Sequence, residues 1–214
     1  MSIPEIVDER AWRDANAALN EKEKAATRER DALAAERRRQ PMMAFSTDFA
    51  FDGPSGRVSF LGLFDGRPQL ILYHFWFPED GDACPGCTMF TDQISELAHL
   101  NARDVTFALV SRAPQERIDA YKARMGWDVP WYTDDVAFQE ACGTTEYFRL
   151  QVFLRDEDRA YLTYETTSRG VEALGSVWTF LDLTPYGRQE EWEDTPPGRP
   201  QTPPYQWWRK KDEY

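Results

Sequence analysis

Apolar positions recur with two different periods along this chain, and the alternation between them lays out its architecture. From Asp8 to Gln40 the segment DERAWRDANAALNEKEKAATRERDALAAERRRQ holds no Gly or Pro and is dominated by Ala, Glu, Lys and Arg. That composition predicts one long helix, which Pro41 stops. Trp12, Leu19, Ala26 and Leu33 recur every seven residues, but the companion positions Ala15, Lys22, Glu29 and Glu36 are mostly charged. The stripe is too narrow for a coiled-coil seam and suits a helix lying on a domain, its own or that of a second subunit.

Between about residues 57 and 184 the period shifts back and forth. RVSF alternates as a strand does, and LGLFDGRP carries a turn at Asp65-Gly66. The continuous apolar run QLILYHFWF, residues 69–77, predicts a central strand buried on both faces. From 85 to about 101 the spacing is helical, with Phe90, Ile94, Leu97 and Asn101 on one face and Leu100 beside it. DVTFALVSR (104–112) reads as a second buried strand, and PQERIDAYKARMG as a helix that Pro114 opens and Gly126 follows. WDVPWYTDD is short and extended, and VAFQEACG is a short helix ending at Gly143. LQVFLRDEDRAYLTYETTSRG predicts two strands joined by a polar turn at Asp156 to Asp158, and GVEALGSVWTFLDLTP a closing helix. The order β-β-α-β-α-(α)-β-β-α predicts an α/β sandwich around a mixed sheet.

Three segments follow: a helical extension over 1–41, an α/β domain over 42–186 and a tail over 187–214. The tail holds five prolines between Pro196 and Pro204, which exclude regular structure, and then the pair Trp207-Trp208, expected to pin it onto the domain.

Composition narrows the function. Apolar residues make up 42% of the 214 and aromatic ones 14%, enough for a sizeable core. The net charge of −12 repels phosphate backbones and argues against nucleic acid. The N-terminus MSIPEIVDERAW lacks the basic start and apolar run of a secretory signal, and no apolar stretch approaches the roughly 18 residues of a membrane span. With only three cysteines a disulfide scaffold is excluded. A cytoplasmic location is the simplest reading, and there a close cysteine pair is catalytic or metal-binding more often than structural.

That pair is Cys84 and Cys87 in GDACPGCTMF, placed after the buried strand and at the start of an amphipathic helix. With Cys84 at the N-cap and Pro85 at the first helical position, Cys87 stands one turn along on the same side. A thiolate at the N-cap accepts free N–H groups of the first turn, its pKa falls, and Cys84 becomes the nucleophile. Cys87 then attacks the mixed disulfide and releases the partner. Glu79, Asp80 and Asp82 pull the other way, so Cys84 is expected to be less acidic than the most strongly oxidising thiols of this kind.

Two inert buried thiols, or a metal site, are the competing readings. Zinc needs four ligands, and Cys84, Cys87, Cys142, His74 and His99 lack the spacing to supply them. His74 reads as a core histidine, His99 as solvated and Cys142 as buried filler. No metal or cofactor is expected. No P-loop, Gly-x-Gly-x-x-Gly or Gly-x-Ser-x-Gly spacing occurs.

The run VSFLGLFDGRPQLILYHFWFPEDGDACPGC resembles the opening of thioredoxin-like proteins of the peroxiredoxin and thiol-reductase type. The pieces RERDALAAERRRQP, YHFWF, CPGC, HLNARDV, VSRAP, YKARMGW, VFLRD, TYETTSRG, LDLTPYGR and the terminal DEY look like the thioredoxin-like family called domain of unknown function 899. Its members are expected to be dithiol–disulfide oxidoreductases. The resemblance implies a thioredoxin-like α/β/α sandwich with a mixed central sheet. It also implies a disulfide-containing protein or a small-molecule thiol or disulfide as substrate.

Two departures stand out. Peroxiredoxins carry Thr or Ser three residues before the attacking cysteine, where this chain has Gly81, and Pro78 lies six residues before Cys84. Thioredoxins place a proline before the strand that faces the cysteines. Here the sequence is YFRL, which puts Arg149 forward for that surface. Trp76, Phe77, Pro78 and Pro85 are the candidate apolar rim. The rivals to an exchange enzyme are a non-catalytic module that binds a partner through the long helix and Trp-rich tail, and a peroxiredoxin-like peroxidase. The N-terminal helix is the candidate surface for a homodimer, though the sequence does not give the oligomeric state, and neither nucleic acid nor membrane is expected as partner.

Overall fold

The computed structural model describes residues 3–94 and 96–214. The chain divides into two compact units, Met1–Pro41 with Asp194–Pro200, and Met42–Glu193 with Gln201–Tyr214. In the first, α1 (Glu9–Arg37) begins where Asp8 Oδ1 accepts the Ala11 N–H at 2.8 Å. None of its residues is buried, and the stripe residues Trp12, Leu19 and Leu33 stand at least half exposed.

The second unit is built on one eight-stranded mixed sheet. Its strands are β1 (Met43–Phe45), β2 (Ala50–Gly53), β3 (Gly56–Ser59), β4 (Gln69–His74), β5 (Val105–Ser111), β6 (Trp131–Thr133), β7 (Arg149–Asp156) and β8 (Arg159–Thr166), in the order β1-β8-β7-β4-β5-β6-β2-β3. β4, β5 and β6 run parallel, while β7 lies antiparallel to β4 and β8 antiparallel to β7.

The helices of this unit are α2 (Pro85–Thr91), α3 (Ala98–Asn101), α4 (Gln115–Met125), α5 (Val136–Cys142), α6 (Arg169–Glu172) and α7 (Ser176–Asp182). The parallel β4-α2-β5 unit followed by the β7–β8 hairpin and a closing helix is a thioredoxin-like α/β fold.

Because the middle of β4 (residues 70–73) and of β5 (residues 107–110) is apolar on both faces, each feeds two cores. Tyr73, Phe107 and Leu109 join Phe75, Phe90, Ile118, Trp131 and Trp178 on one face. Leu70, Leu72, Ala108 and Val110 join Phe51, Phe60, Phe138 and Phe153 on the other. The turn anticipated at Asp65-Gly66 is present, with both residues at positive φ. The Trp207 and Trp208 side chains pack against the first core, so the tail is pinned where the sequence placed it.

Four expectations need correction. β4 ends at His74, not Phe77; beyond it Phe75 N–H and Phe77 C=O bond to Val110 and Ala113 outside the ladder. The helix expected over 85–101 stops at Thr91 and resumes only at Ala98, with Ser95 outside the described residues. The closing helix is broken at Gly175, whose extended backbone (φ −95°, ψ 131°) caps α7 and brings the chain against the Trp178 ring. The edge strand β1 and the inner strand β2, for which the sequence predicts no element, are too short for a visible period.

Candidate active site

Cys84 occupies the N-cap of α2 with extended backbone angles (φ −61°, ψ 125°), and Pro85 fills the first helical position, where a missing N–H costs nothing. Its Sγ accepts the Cys87 N–H at 3.4 Å. The Cys84 N–H itself donates to Trp76 C=O at 3.0 Å, tying the returning loop to the end of β4. The first turn is held from behind: Thr88 Oγ1 donates to Cys84 C=O at 2.9 Å and lies 2.8 Å from Tyr121 Oη, while Thr91 Oγ1 donates to Cys87 C=O at 2.9 Å. Cys84 is half-buried and Cys87 fully buried.

The two thiols are driven apart electrostatically. Cys84 is lowered to about 7, chiefly by a hydrogen bond from the Cys87 side chain, with the N–H groups of Cys87 and Gly86 adding to it against the cost of burial. Burial pushes Cys87 far up, and its neighbour Cys84 adds to the rise, while a hydrogen bond from Tyr73 offsets part of it. Tyr73 is itself raised by burial. Cys84 is therefore the thiol of the pair that ionises around neutrality, while Cys87 stays protonated.

The acidic loop has little hand in this. Glu79 turns to Arg112 at 3.2 Å, and Arg117 gathers the carbonyls of Pro78, Glu79 and Gly81. Cys84 stays well short of the most acidic catalytic thiols at about 3.5. The cause is the limited number of donors and the burial, not the nearby carboxylates.

The candidate rim divides. Trp76 and Pro85 are exposed and Pro78 half-buried, and all three belong to the segments that flank Cys84. Phe77 is a core residue, 5% exposed, packed on Tyr121 and Trp131 with the Arg117 guanidinium over its ring. Arg149 is not brought to the thiols. It pairs in register with His74, whose side chain faces the second core, and reaches Glu165 at 2.5 Å.

On that same face His74 Nε2 meets Gln151 Oε1 at 2.9 Å and the ring stacks on Phe138. Burial lowers its pKa to about 4, so it is a neutral core histidine. Cys142 is buried and pushed up by that burial and by Asp134. His99 is exposed. Among the described residues no three His, Cys, Asp or Glu side chains converge as a metal site.

The sequence reading missed Tyr73, Thr88 and Tyr121. Tyr73 sits inside the apolar run and reads as plain core. Thr88 one turn beyond Cys84 was a visible signal, since a threonine there can return a hydrogen bond to the N-cap carbonyl.

Among solved structures, the peroxidoxin BcpB of Mycobacterium tuberculosis is 16% identical, with a TM-score of 0.45 over 61% of this chain and 86% of its own. A putative thiol:disulfide interchange protein DsbE from Chlorobium tepidum is 16% identical, with a TM-score of 0.44 over 63% of this chain and 93% of its own. A putative protein disulfide isomerase from Bacteroides thetaiotaomicron is 16% identical, with a TM-score of 0.43 over 67% and 90%. No curated protein matches the chain. The family model described as "Bacterial protein of unknown function (DUF899)" matches residues 1–214, and the chain belongs to that family.

Proposed function

We propose that this protein is a thiol–disulfide oxidoreductase whose nucleophile is Cys84 and whose resolving thiol is Cys87. The observation that carries the reading is the asymmetry within one helical turn: a half-buried Cys84 sulfur that accepts the Cys87 N–H and has its pKa lowered, and a buried Cys87 thiol that has its pKa raised. The Cys84 thiolate attacks one sulfur of a substrate disulfide, forming a mixed disulfide and releasing one substrate thiolate. Cys87 gives its proton to the first departing thiolate or to solvent, attacks the Cys84 sulfur, breaks the mixed disulfide and releases the second substrate thiolate. The substrate gains two electrons, and the protein is left with a Cys84–Cys87 disulfide that an external thiol or dithiol reductant restores.

The test is a redox titration in poised dithiol buffers, with free thiols trapped by alkylation and counted by mass. One two-thiol transition between about −180 and −300 mV is expected. Two thiols that stay free at every potential would remove the reading. Under it, Cys84→Ser abolishes exchange and Cys87→Ser accumulates the mixed disulfide. The setting proposed is the cytoplasm, whose reduced thiol pools would regenerate the dithiol; retention in the periplasm on fractionation would contradict it. A homodimer through the exposed stripe Trp12, Leu19 and Leu33 of α1 belongs to the same proposal. Sedimentation should show a dimer that Leu19→Asp dissociates, and a wild-type monomer would end that part.

A further inference from the structure

The tail returns across the first turn of α2. A Cβ placed on Gly86 would lie 2.3 Å from Trp208 Cζ3 and 2.5 Å from Cε3, so the indole requires a glycine between the two cysteines. Trp208 also meets Trp178 at 5.7 Å and Tyr205 at 4.7 Å between ring centroids. It shares a small apolar hollow with Gly86, Phe90 and Phe148, the residue just before β7. The residue covered is thus Gly86, while Pro85, next to Cys84 in the chain, and Trp76, whose carbonyl accepts the Cys84 N–H, stay exposed.

This cover is held by a buried anchor at Glu190 and, beyond Trp208, by contacts at the surface. Arg124 forks onto Asp212 at 2.6 and 2.9 Å, with both side chains about 40% exposed. The inner anchor is Glu190, 1% exposed, whose Oε1 accepts the Tyr205 N–H at 2.9 Å and the Trp207 Nε1–H at 2.8 Å, and farther out Lys211 Nζ reaches Asp92 at 2.9 Å. Exposed ion pairs of this kind are weak and salt-sensitive. Trp208 Nε1 is buried with no hydrogen-bond partner among the described residues, which lowers the cost of withdrawing the ring. The fit is close, and the part of the tail beyond the Glu190 anchor is fastened by exposed ion pairs.

Resting on the reading of Cys84 and Cys87 as an exchange dithiol, we propose that Trp208 determines specificity. It lies over the Gly86 side of the dithiol and against Phe148, and so narrows the approach to Cys84 for anything as broad as a polypeptide. A small-molecule disulfide needs only the open Trp76–Pro85 side to reach Cys84. Protein disulfides are admitted only when the tail lifts.

Reduction of hydroxyethyl disulfide and of insulin should be compared for the wild type, Trp208→Ala and Arg124→Ala, the last loosening the tail without touching the indole. In parallel, labelling of Cys84 by N-ethylmaleimide and by a maleimide on a long polyethylene glycol chain reads access without any turnover. The expected result is a gain of about tenfold in insulin reduction and in bulky labelling for Trp208→Ala, with a smaller gain for Arg124→Ala. Both small-reagent rates should stay within about twofold. Insulin and hydroxyethyl disulfide rates that move together, or bulky labelling unchanged in both variants, would overturn the proposal. Bulky labelling that rises while no variant reduces either disulfide would instead overturn the exchange reading, and the specificity with it.

Discussion

Cys84 and Cys87 are chemically identical side chains one helical turn apart, and their surroundings give them opposite protonation states. The larger share of the Cys84 shift comes from the Cys87 side chain itself, so the two thiols cannot be treated as independent. The pH profile of alkylation at Cys84 should therefore rise with a midpoint of about 7, because the thiol below that pH is protonated and unreactive. Cys87→Ala should move the midpoint upward by removing the first donor, and Cys87→Ser, which keeps a donor, should move it less. A midpoint that stays in place in both variants would assign the shift to the helix backbone alone. Much of this was readable from CPGC, since Pro85 fixes the helix start and thereby places Cys84 at the N-cap and Cys87 a turn later. The weak effect of Glu79, Asp80 and Asp82 was not readable. It depends on Arg112 and Arg117, which lie more than thirty residues away in sequence and hold the loop by its carbonyls and by Glu79.

At the scale of elements, the length of α2 is set by a contact across the fold. Gln93 Nε2 donates to Met89 C=O at 2.7 Å, and Gln93 Oε1 accepts the Val177 N–H at 2.6 Å, clipping the end of α2 to the start of α7. Phe90, Ile94 and Leu97 carry a helical period straight through this point, which is why the pattern predicts one helix to residue 101. The side chain that interrupts it finds its partner 84 residues later, and local periodicity holds no trace of that. Where the partners are local, as with Asp135 accepting from Phe138 at 2.8 Å and Gly143 ending α5 at positive φ, pattern and structure agree. Gln93→Ala leaves the half-buried Val177 N–H without its acceptor and should cost about 1–3 kcal/mol in urea unfolding. Gln93→Glu keeps the acceptor and should cost less. A loss below about 0.5 kcal/mol for the alanine would mean that the clip is replaced by water.

For the molecule as a whole, acidity is distributed unevenly between surface and interior. Most of its 37 acidic residues are solvated, but in the pair Asp134-Asp135 one carboxylate caps α5 and the other is 3% exposed. Sequence cannot tell the two apart, since burial of Asp134 follows from its place after β6, where its N–H donates to Ser111 C=O at 2.9 Å. Burial raises Asp134 to about 7, and the charge of Arg112 and a long hydrogen bond from Gln139 Nε2 offset only part of the rise. The folded pKa lies above the unfolded value of about 3.9, so the fold binds a proton that the unfolded chain has released. Its contribution to stability is full below about pH 4 and is lost as pH climbs through about 7. Glu165, Asp212 and Glu213 are lowered, and their contributions run the other way, fading only as pH falls. The difference between the wild type and Asp134→Asn isolates the first effect, because the amide still accepts from Gln139 and never ionises. Urea unfolding should show the variant more stable by about 1–3 kcal/mol at pH 8, with the gap closing near pH 4. A gap of the same size at both ends would show that Asp134 carries its charge in the folded protein throughout the range.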